Sequence, residues 1–199
     1  MGEGDSPIPH TSHLQLAETE RTADFLYEMG LSAENLGKIL TRWPTILSYS
    51  VEDNLRPMAE YFRSLGVHVA LLLHRSPQTF GPSIEGNLKP VTKFFLERGY
   101  SMGDVATMIS RYGTLYTYSL SENLILKWEF FLTMGYPKSK LIKFPQYFGY
   151  RLEECIIRRY AIVEESGVRL LCNQALYLSD GEFDKALKRK IKKNQGSRC

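Results

Sequence analysis

Cysteine is scarce in this sequence, and long apolar runs are missing. The 199 residues include three cysteines, Cys155, Cys172 and Cys199, and no pair of them has the C-x-x-C spacing of a zinc or redox site. We therefore interpret them as free thiols rather than as a disulfide framework. The longest apolar candidate, VHVALLLH, falls far short of the roughly twenty residues that a membrane-spanning helix needs. The sequence predicts a soluble protein with no membrane span.

Motifs for catalysis are missing as well. No G-x-G-x-x-G, phosphate-binding loop or nucleophile elbow occurs. The body of the chain holds two histidines, His68 and His74, which flank an apolar run and are interpreted as structural. His10 and His13 form an isolated H-x-x-H, which is weak evidence for a metal site. We therefore predict that the protein is not an enzyme and has no metal or cofactor.

Charge is unevenly distributed along the chain, although the net charge is only +3. Residues 1–36 carry seven acids and one base, whereas residues 185–199 carry seven bases and no acid. A basic tail on a nearly neutral body favours a polyanionic partner, and a solvated C-terminal helix is the alternative. Residues 1–20 are rich in Pro, Ser, Thr, Gly and acids and predict a disordered leader. This leader is too acidic for an organelle transit peptide.

One block of sequence recurs four times without an internal gap. The blocks begin at Pro44, Pro77, Gly113 and Pro145, which are 33, 36 and 32 residues apart. Each block ends on a glycine 22 positions after its start, and these glycines are Gly66, Gly99, Gly135 and Gly167. The sequence FLYEMG, ending at Gly30, matches the end of a fifth block. Such a period is typical of a repeat protein.

Each block carries helix signals at fixed positions. Apolar residues such as Val51, Leu55 and Phe62 fall on one helical face. A serine stands at the N-cap position of three blocks, and an asparagine stands four residues after it; these are Ser50, Ser83 and Ser119, followed by Asn54, Asn87 and Asn123. The closing glycines are typical of helix C-terminal stops. A second helical segment lies between the blocks, so each unit is predicted to contain two helices.

Prolines mark the joints of these units. Pro44, Pro77 and Pro145 directly follow the first helix of their units and are predicted to end it. Pro57 and Pro90 lie further on, and two interpretations of them stay open. Either the second helix begins at the serine and kinks at the proline, or it begins near the asparagine and holds the proline in its first turn.

Units of two helices cannot bury their apolar faces alone, and stacking them in register builds a continuous core. We therefore predict an all-α fold, a curved α-solenoid of stacked two-helix repeats of 32–36 residues with a concave groove. Three aromatic pairs are interpreted as core between units rather than as stacking platforms for bases; they are Tyr61/Phe62, Phe94/Phe95 and Phe130/Phe131.

The combined pattern resembles the mitochondrial transcription termination factor (mTERF) family in its plant organellar type. The pattern is a proline that closes one helix, S-x-E-x-N-L at the next and a glycine after an aromatic-rich turn, and the likeness covers about residues 23–184. The segment ALYLSDGEF, residues 175–183, is similar to the segment after the last repeat in plant members. The departures from the pattern are Gly113 for proline, Arg151 for serine and Cys155 for asparagine.

This resemblance implies a helical half-ring with a positive concave groove that binds nucleic acid in an organelle. Family roles range from transcription termination and regulation to intron splicing and ribosome assembly. The expected partners are double-stranded DNA, organellar RNA or both, with no membrane partner and a monomeric state. The expected location is the chloroplast, with the mitochondrion as the alternative. No transit peptide is visible, and the eroded first repeat suggests a fragment or a short variant of a longer pattern.

A basic residue stands two positions before each block and gives a candidate contact with phosphates. These residues are Arg42, Arg75, Arg111 and Lys143, which we call the cation row. In a stacked array they would align along one edge, and such a row suits a phosphate backbone. The alternative is that each cation complements the dipole of the helix it ends. The neighbouring Trp43, Tyr112 and Phe144 are expected to pack inward.

Further cations make the C-terminal half the more basic one. Arg151 and Arg158 are candidate contacts of second rank, together with Arg159, Lys138 and Lys140. Lys188, Arg189 and Lys190 in the tail, together with Lys192 and Lys193, could bind phosphates without sequence preference. No residue that reads bases can be assigned.

The domain organisation predicted from these features has three parts. Residues 1–20 form the acidic leader, residues 21–184 the helical repeat domain and residues 185–199 the basic tail. The predicted function is a non-enzymatic nucleic-acid-binding protein that regulates organelle gene expression. The alternative is a helical-repeat scaffold for protein–protein interactions, because such concave surfaces also bind peptides.

Overall fold

A computed structural model describes residues 13–196 of the chain, with side chains from 16 to 194, and this part is built from helices with no β-strand. The first helix, α1, is His13–Glu28 and therefore begins inside the predicted leader. No proline or glycine lies between Pro9 and Gly30 to stop it, and Phe25 and Leu26 anchor it in the core. Residues 1–12, including His10, and Cys199 lie outside the described residues.

Four repeated units come after α1, and each contains the predicted pair of helices. The first helices are α2 (Ala33–Arg42), α4 (Val69–Arg75), α6 (Met102–Arg111) and α8 (Ser139–Lys143). The second helices each open with a π turn, namely Val51–Leu55, Ile84–Leu88, Leu120–Ile125 and Leu152–Ile157. They continue as α3 (Arg56–Ser64), α5 (Lys89–Glu97), α7 (Leu126–Thr133) and α9 (Arg158–Glu165).

A short 3₁₀ helix, which the sequence analysis did not predict, joins the two helices of each unit. These are Pro44–Ser48, Pro77–Phe80, Gly113–Thr117 and Pro145–Gly149. Proline suits the first position of such a turn because no amide hydrogen is needed there. Two further helices close the described chain, α10 (Cys172–Tyr177) and α11 (Asp180–Gly196).

The structure decides between the two interpretations of Pro57. The second helix begins at the serine: the Oγ atoms of Ser50, Ser83 and Ser119 each accept from the backbone N–H three residues later. The proline then follows the π turn, in which the backbone hydrogen bonds span five residues instead of four. In a regular α-helix the proline ring would clash with the carbonyl four residues earlier. Unit 3 has the same turn with Leu126 in that position, so the fold, and not proline, produces the turn.

The glycine stops are confirmed. Gly30, Gly66, Gly99, Gly135 and Gly167 all adopt positive φ, between 65° and 90°, where a side chain would be strained. Five stops of one geometry support the interpretation of α1 as the end of a fifth unit.

Aromatic side chains connect the units of the array, including units that are not adjacent. Phe62 of unit 1 contacts Phe80 of unit 2 and Tyr116 of unit 3, with ring centroids 5.3 and 5.9 Å apart. Phe95 of unit 2 contacts Phe148 of unit 4 at 5.7 Å. All five rings are buried, as are Phe94 and Phe131, so one ring or more of each predicted pair lies in the core. Tyr61 and Phe130 are half-buried and pack against it.

Equivalent elements of consecutive units contact one another along the chain. Each first helix packs on the first helix of the next unit, and each 3₁₀ helix packs on the next 3₁₀ helix. Consecutive first helices contact each other more extensively than consecutive second helices do. In-register stacking of repeated helix pairs is therefore confirmed, while the curvature of the array stays a prediction.

Gly113, the departure from proline in unit 3, fills a space with no room for a side chain. A Cβ atom there would lie 2.6 Å from Cδ1 of Leu72 and 2.8 Å from both Cβ of Ser76 and Oγ1 of Thr79. The 3₁₀ helix forms nonetheless, so the departure leaves the geometry of the unit unchanged.

We expect Gly113→Ala to lower the free energy of unfolding by about 1–3 kcal/mol, because it overpacks this contact. The matched control is Gly37→Ala in α2, where an added Cβ meets nothing within 4 Å. That change is expected to stabilise the protein by roughly 0.5–1 kcal/mol through helix propensity. Urea denaturation measures both, and equal unfolding midpoints for the two variants would contradict the crowding at Gly113.

Candidate nucleic-acid interface

The cation row lies at one repeated place in the fold. Arg42, Arg75, Arg111 and Lys143 are the last residues of α2, α4, α6 and α8, and all four are exposed. Because consecutive first helices pack on one another, the four cations succeed each other from unit to unit along the row of first helices.

Two members of the row also hold neighbouring units together. The Arg42 guanidinium donates to the carbonyl oxygens of His74 at 3.0 Å and Arg75 at 2.8 Å, at the end of the next first helix. Arg75 donates to the carbonyl of Ser110 at 3.3 Å in the same way. A cation in this row therefore complements the C-terminal carbonyls of the next unit's helix. A guanidinium has five N–H donors, so donors remain for a further partner.

The side chains of Arg111 and Lys143 form no hydrogen bond or ion pair with any residue between 13 and 196. They differ in this respect from Arg42 and Arg75, whose guanidinium groups are already engaged. The two cations in the C-terminal half of the row are therefore more available to bind a ligand.

The two rows of helices carry opposite net charge. The first helices α2, α4, α6 and α8 hold six Lys or Arg against two Asp or Glu, a net +4. Helix α1 and the second helices with their π turns hold eight Lys or Arg against fifteen Asp or Glu, a net −7. The nearly neutral body of the sequence is therefore divided into a basic first-helix row and an acidic second-helix row.

A groove lies between two consecutive members of the cation row. It has a volume of about 580 Å³, and Arg75 and Arg111 are among its lining residues. Gly66, Gly103 and Ala106 also line it, together with the side chains of Thr107 and Ser110. Small residues allow a backbone or a phosphate group to approach closely. The Thr107 hydroxyl donates to the carbonyl of Gly103 at 2.8 Å, so the donors to a phosphate in this groove are the two arginines.

The basic tail is helical as far as the structure describes it. Its helix, α11, is anchored at its start, where Ser179 and Glu182 cap one another and Phe183 is buried. Beyond Leu187 the side chains of Lys188, Arg189 and Lys190 are exposed. On a helical projection, Lys185, Lys188, Arg189 and Lys192 share the face opposite Phe183.

The cations of second rank are largely engaged within the protein. Arg151 lies 3.8 Å from Glu154 and is exposed. Arg158 donates to the carbonyl of Glu154 and to the carboxylate of Asp180, both at 2.9 Å, and is also exposed. Lys138 donates to the carbonyl of Arg98 at 2.9 Å.

The interpretation of Arg159 as a surface contact is wrong. Its side chain is 7% exposed and donates to the carbonyls of Ala175 at 2.8 Å and Leu178 at 2.7 Å and to Asp180 at 2.6 Å. It therefore closes the end of α10.

Lys127 is a second buried cation that sequence reasoning missed. It is 7% exposed, and its Nζ atom donates to the carbonyl of Phe148 at 2.7 Å. Burial lowers the pKa of this amine. The signal was present, because Lys127 and Arg159 occupy a column that holds Met58 and Val91, both buried and apolar, in units 1 and 2.

The aromatic residues beside the cation row pack only partly inward. Trp43, Tyr112 and Phe144 are half-buried, and each lies against a tyrosine six residues later, with ring centroids 5.5–6.2 Å apart.

The remaining polar groups give no support for chemistry at this surface. His68 caps α4, its Nδ1 atom accepting from the N–H of Leu71 at 3.3 Å. Burial raises the pKa of the Cys172 thiol to about 12. Within residues 13–196, no three metal-binding side chains come together, and no helix is long and apolar enough to cross a membrane.

These features define a helical-repeat protein whose units stack in register. Each unit carries an exposed cation at the end of its first helix, and the first helices form a basic row. The family model described as mTERF matches residues 11–184, so the chain belongs to the mTERF family. The resemblance drawn from the sequence is thereby confirmed.

Three relatives from Arabidopsis thaliana are named as transcription termination factors of the chloroplast. The chain is 65% identical to MTERF5 over 144 residues, which are 72% of this chain and 29% of that protein. It is 29% identical to MTERF2 over 171 residues, 85% of this chain and 21% of the relative. It is 28% identical to MTERF8 over 168 residues, 82% of this chain and 33% of the relative. The chain thus spans a third or less of each relative's length, and none of these names denotes an enzyme.

Proposed function

We propose that this protein binds nucleic acid along its first-helix row and regulates transcription in the chloroplast. The observation that carries the proposal is the segregation of charge, which gives the first-helix row a net +4 and aligns the cation row on it. A phosphate backbone is the partner that such a repeated row of cations suits. The chloroplast location and the role in transcription rest on the names of the three relatives.

The preferred ligand is double-stranded DNA. The more extensive contacts between first helices support a surface that curves toward that row, since the more closely packed row lies on the inner side of a curved array. Exposed basic residues and small hydroxyl side chains dominate this surface, so it holds the backbone without reading bases. RNA is the second candidate, because phosphates of either nucleic acid fit the row.

The proposed binding predicts a strong salt dependence. We expect the logarithm of the affinity for a 30-base-pair duplex to fall linearly with the logarithm of salt concentration, with a slope of about −3 to −4 for four phosphate contacts. Fluorescence anisotropy between 50 and 250 mM KCl measures it, and a structured RNA of equal length serves as the comparison. A flat response would contradict groove binding and favour the protein scaffold.

A further inference from the structure

The column of asparagines has no role in the proposed nucleic-acid surface. Asn54, Asn87 and Asn123 occupy the same position in three units, and each lies in the π turn of a second helix. Within residues 13–196, none of the three side chains forms a hydrogen bond, and the Oδ1 atom of Asn123 is buried without a partner. A buried polar atom without a partner is costly, and π turns often occur at functional sites.

The fold does not require these asparagines. Unit 4 has Cys155 in the same column and still forms the π turn Leu152–Ile157. In units 1 to 3 the cap is supplied by the serine, whose Oγ atom accepts from one free amide of the turn. Because neither the turn nor the cap depends on the amide, its repetition points to a ligand.

Two of the three asparagines, Asn54 and Asn87, line grooves between consecutive units. Asn54 lines a groove of about 380 Å³ between units 1 and 2, together with Asp53, Met58, Ile84 and Glu85. Asn87 lines an equivalent groove of about 400 Å³ between units 2 and 3, together with Pro90, Leu120 and Ile125. Neither groove is lined by a lysine or an arginine.

We propose that this asparagine ladder, formed by Asn54, Asn87 and Asn123, binds an extended basic segment of a partner polypeptide. A primary amide offers an acceptor and two donors, which match the N–H and C=O groups of an extended peptide backbone. Closely packed helices lie roughly 8–10 Å apart, and consecutive second helices pack less closely than that. An extended chain rises about 3.3 Å per residue, so successive units meet the partner at intervals of about three residues or more.

The charge of the grooves selects the chemistry of the partner. The carboxylates of Asp53 and Glu85 line the first groove, where Asp53 accepts from the Ser50 hydroxyl and Glu85 pairs with the exposed Lys89. No carboxylate lines the second groove, and Glu122 lies next to Asn123 in the sequence. The second helices are acidic as a row, which disfavours a phosphate backbone and favours lysine or arginine side chains. The apolar residues of the grooves receive the aliphatic parts of those side chains. The ladder therefore serves a protein partner, separate from the nucleic acid on the first-helix row.

The test is the binding of a fluorescein-labelled peptide of four Lys-Gly-Ser repeats to the full chain, measured by fluorescence anisotropy. This peptide places a cation at every third residue. We expect Asn54→Ala, Asn87→Ala and Asn123→Ala combined to weaken its binding by at least about tenfold. The thermal midpoint of the triple variant should be unchanged or higher, because alanine favours the helix and the unpaired Oδ1 is removed.

Two controls separate the ladder from general electrostatics and from nucleic-acid binding. Asn35→Ala, Thr41→Ala and Ser139→Ala combined alter polar residues of the first-helix row that line none of these grooves, and peptide binding should stay within about twofold of the wild type. A peptide of Glu-Gly-Ser repeats should bind at least about tenfold more weakly, and the triple asparagine variant should bind duplex DNA with the affinity of the wild type. Absence of binding by the wild type, or equal binding by the asparagine variant, would overturn the proposal.

Discussion

Replacing Arg159 by alanine is expected to loosen α11 and the end of α10. Arg159 fills the end of α10 with three hydrogen bonds of 2.6–2.8 Å, to the carbonyls of Ala175 and Leu178 and to the carboxylate of Asp180. Removing one partner of a buried charged network costs about 3–5 kcal/mol, because the remaining polar groups lose their partners. Since the side chain of Asp180 is 68% exposed, most of the loss comes from the carbonyls.

The expected loss is concentrated at the C-terminal end, because α11 packs on a small core of its own, whereas Cys172 and Leu176 still hold α10 in the main core. Val163, Leu170, Ala175 and Phe183 form this core, apart from the main one. Hydrogen exchange should therefore rise in residues 172–194 of the variant, while the amides of the first three units stay protected.

Arg158→Ala is the matched control, because Arg158 binds the same Asp180 from an exposed position. It should cost no more than about 1 kcal/mol. Equal hydrogen exchange in the Arg158 and Arg159 variants would show that burial of the cation does not matter. Arg159→Met tests the packing separately, since methionine fills the apolar volume but cannot donate hydrogen bonds to the carbonyls. Met58 is the buried residue at the same position in unit 1.

Reversing the charge of Arg111 and Lys143 is expected to weaken duplex DNA binding by about a hundredfold or more. A hydrogen bond to a charged group contributes about 1.5–3 kcal/mol, so the loss of two such contacts accounts for the factor. These positions suit the test because neither side chain bonds to another residue within 13–196, so the fold should not be affected. In the same titration the slope against salt should decrease by about two.

The matched control for this variant reverses two exposed lysines of the second-helix row, Lys89 and Lys93. It changes the net charge by the same amount, so a general charge effect would weaken binding equally in both variants. We expect the control to lose only a small fraction of the affinity that the Arg111 and Lys143 variant loses. An equal loss would mean that the cation row has no special role.

The repeat architecture could be predicted from the sequence because its signals are local. Ser50 as a cap and Gly66 as a stop depend on backbone chemistry within one turn, and repetition at equivalent positions strengthened each assignment. The π turn at Val51–Leu55 was not predictable, since neither Pro57 nor the serine cap is needed to produce it in every unit.

The candidate site was predictable only in part, because the partner of a long side chain depends on the packing between units. Arg42 reaches the carbonyls of His74 and Arg75 because the next unit lies close enough to it. The sequence of one unit does not contain this distance. The burial of Arg159 likewise depends on where α10 ends. The division of charge between the two rows, in contrast, needed only a charge count for each helix instead of a count along the chain.

The opposite charges of the two helix rows also affect how the protein meets a polyanion. A net +4 on one row and −7 on the other amount to an electric dipole directed from one row of helices to the other. Within about a Debye length, roughly 8 Å at physiological salt, the field of DNA turns such a dipole before contact. In the complex proposed above, the protein would meet DNA with its first-helix row, and its acidic side would stay turned toward the solvent.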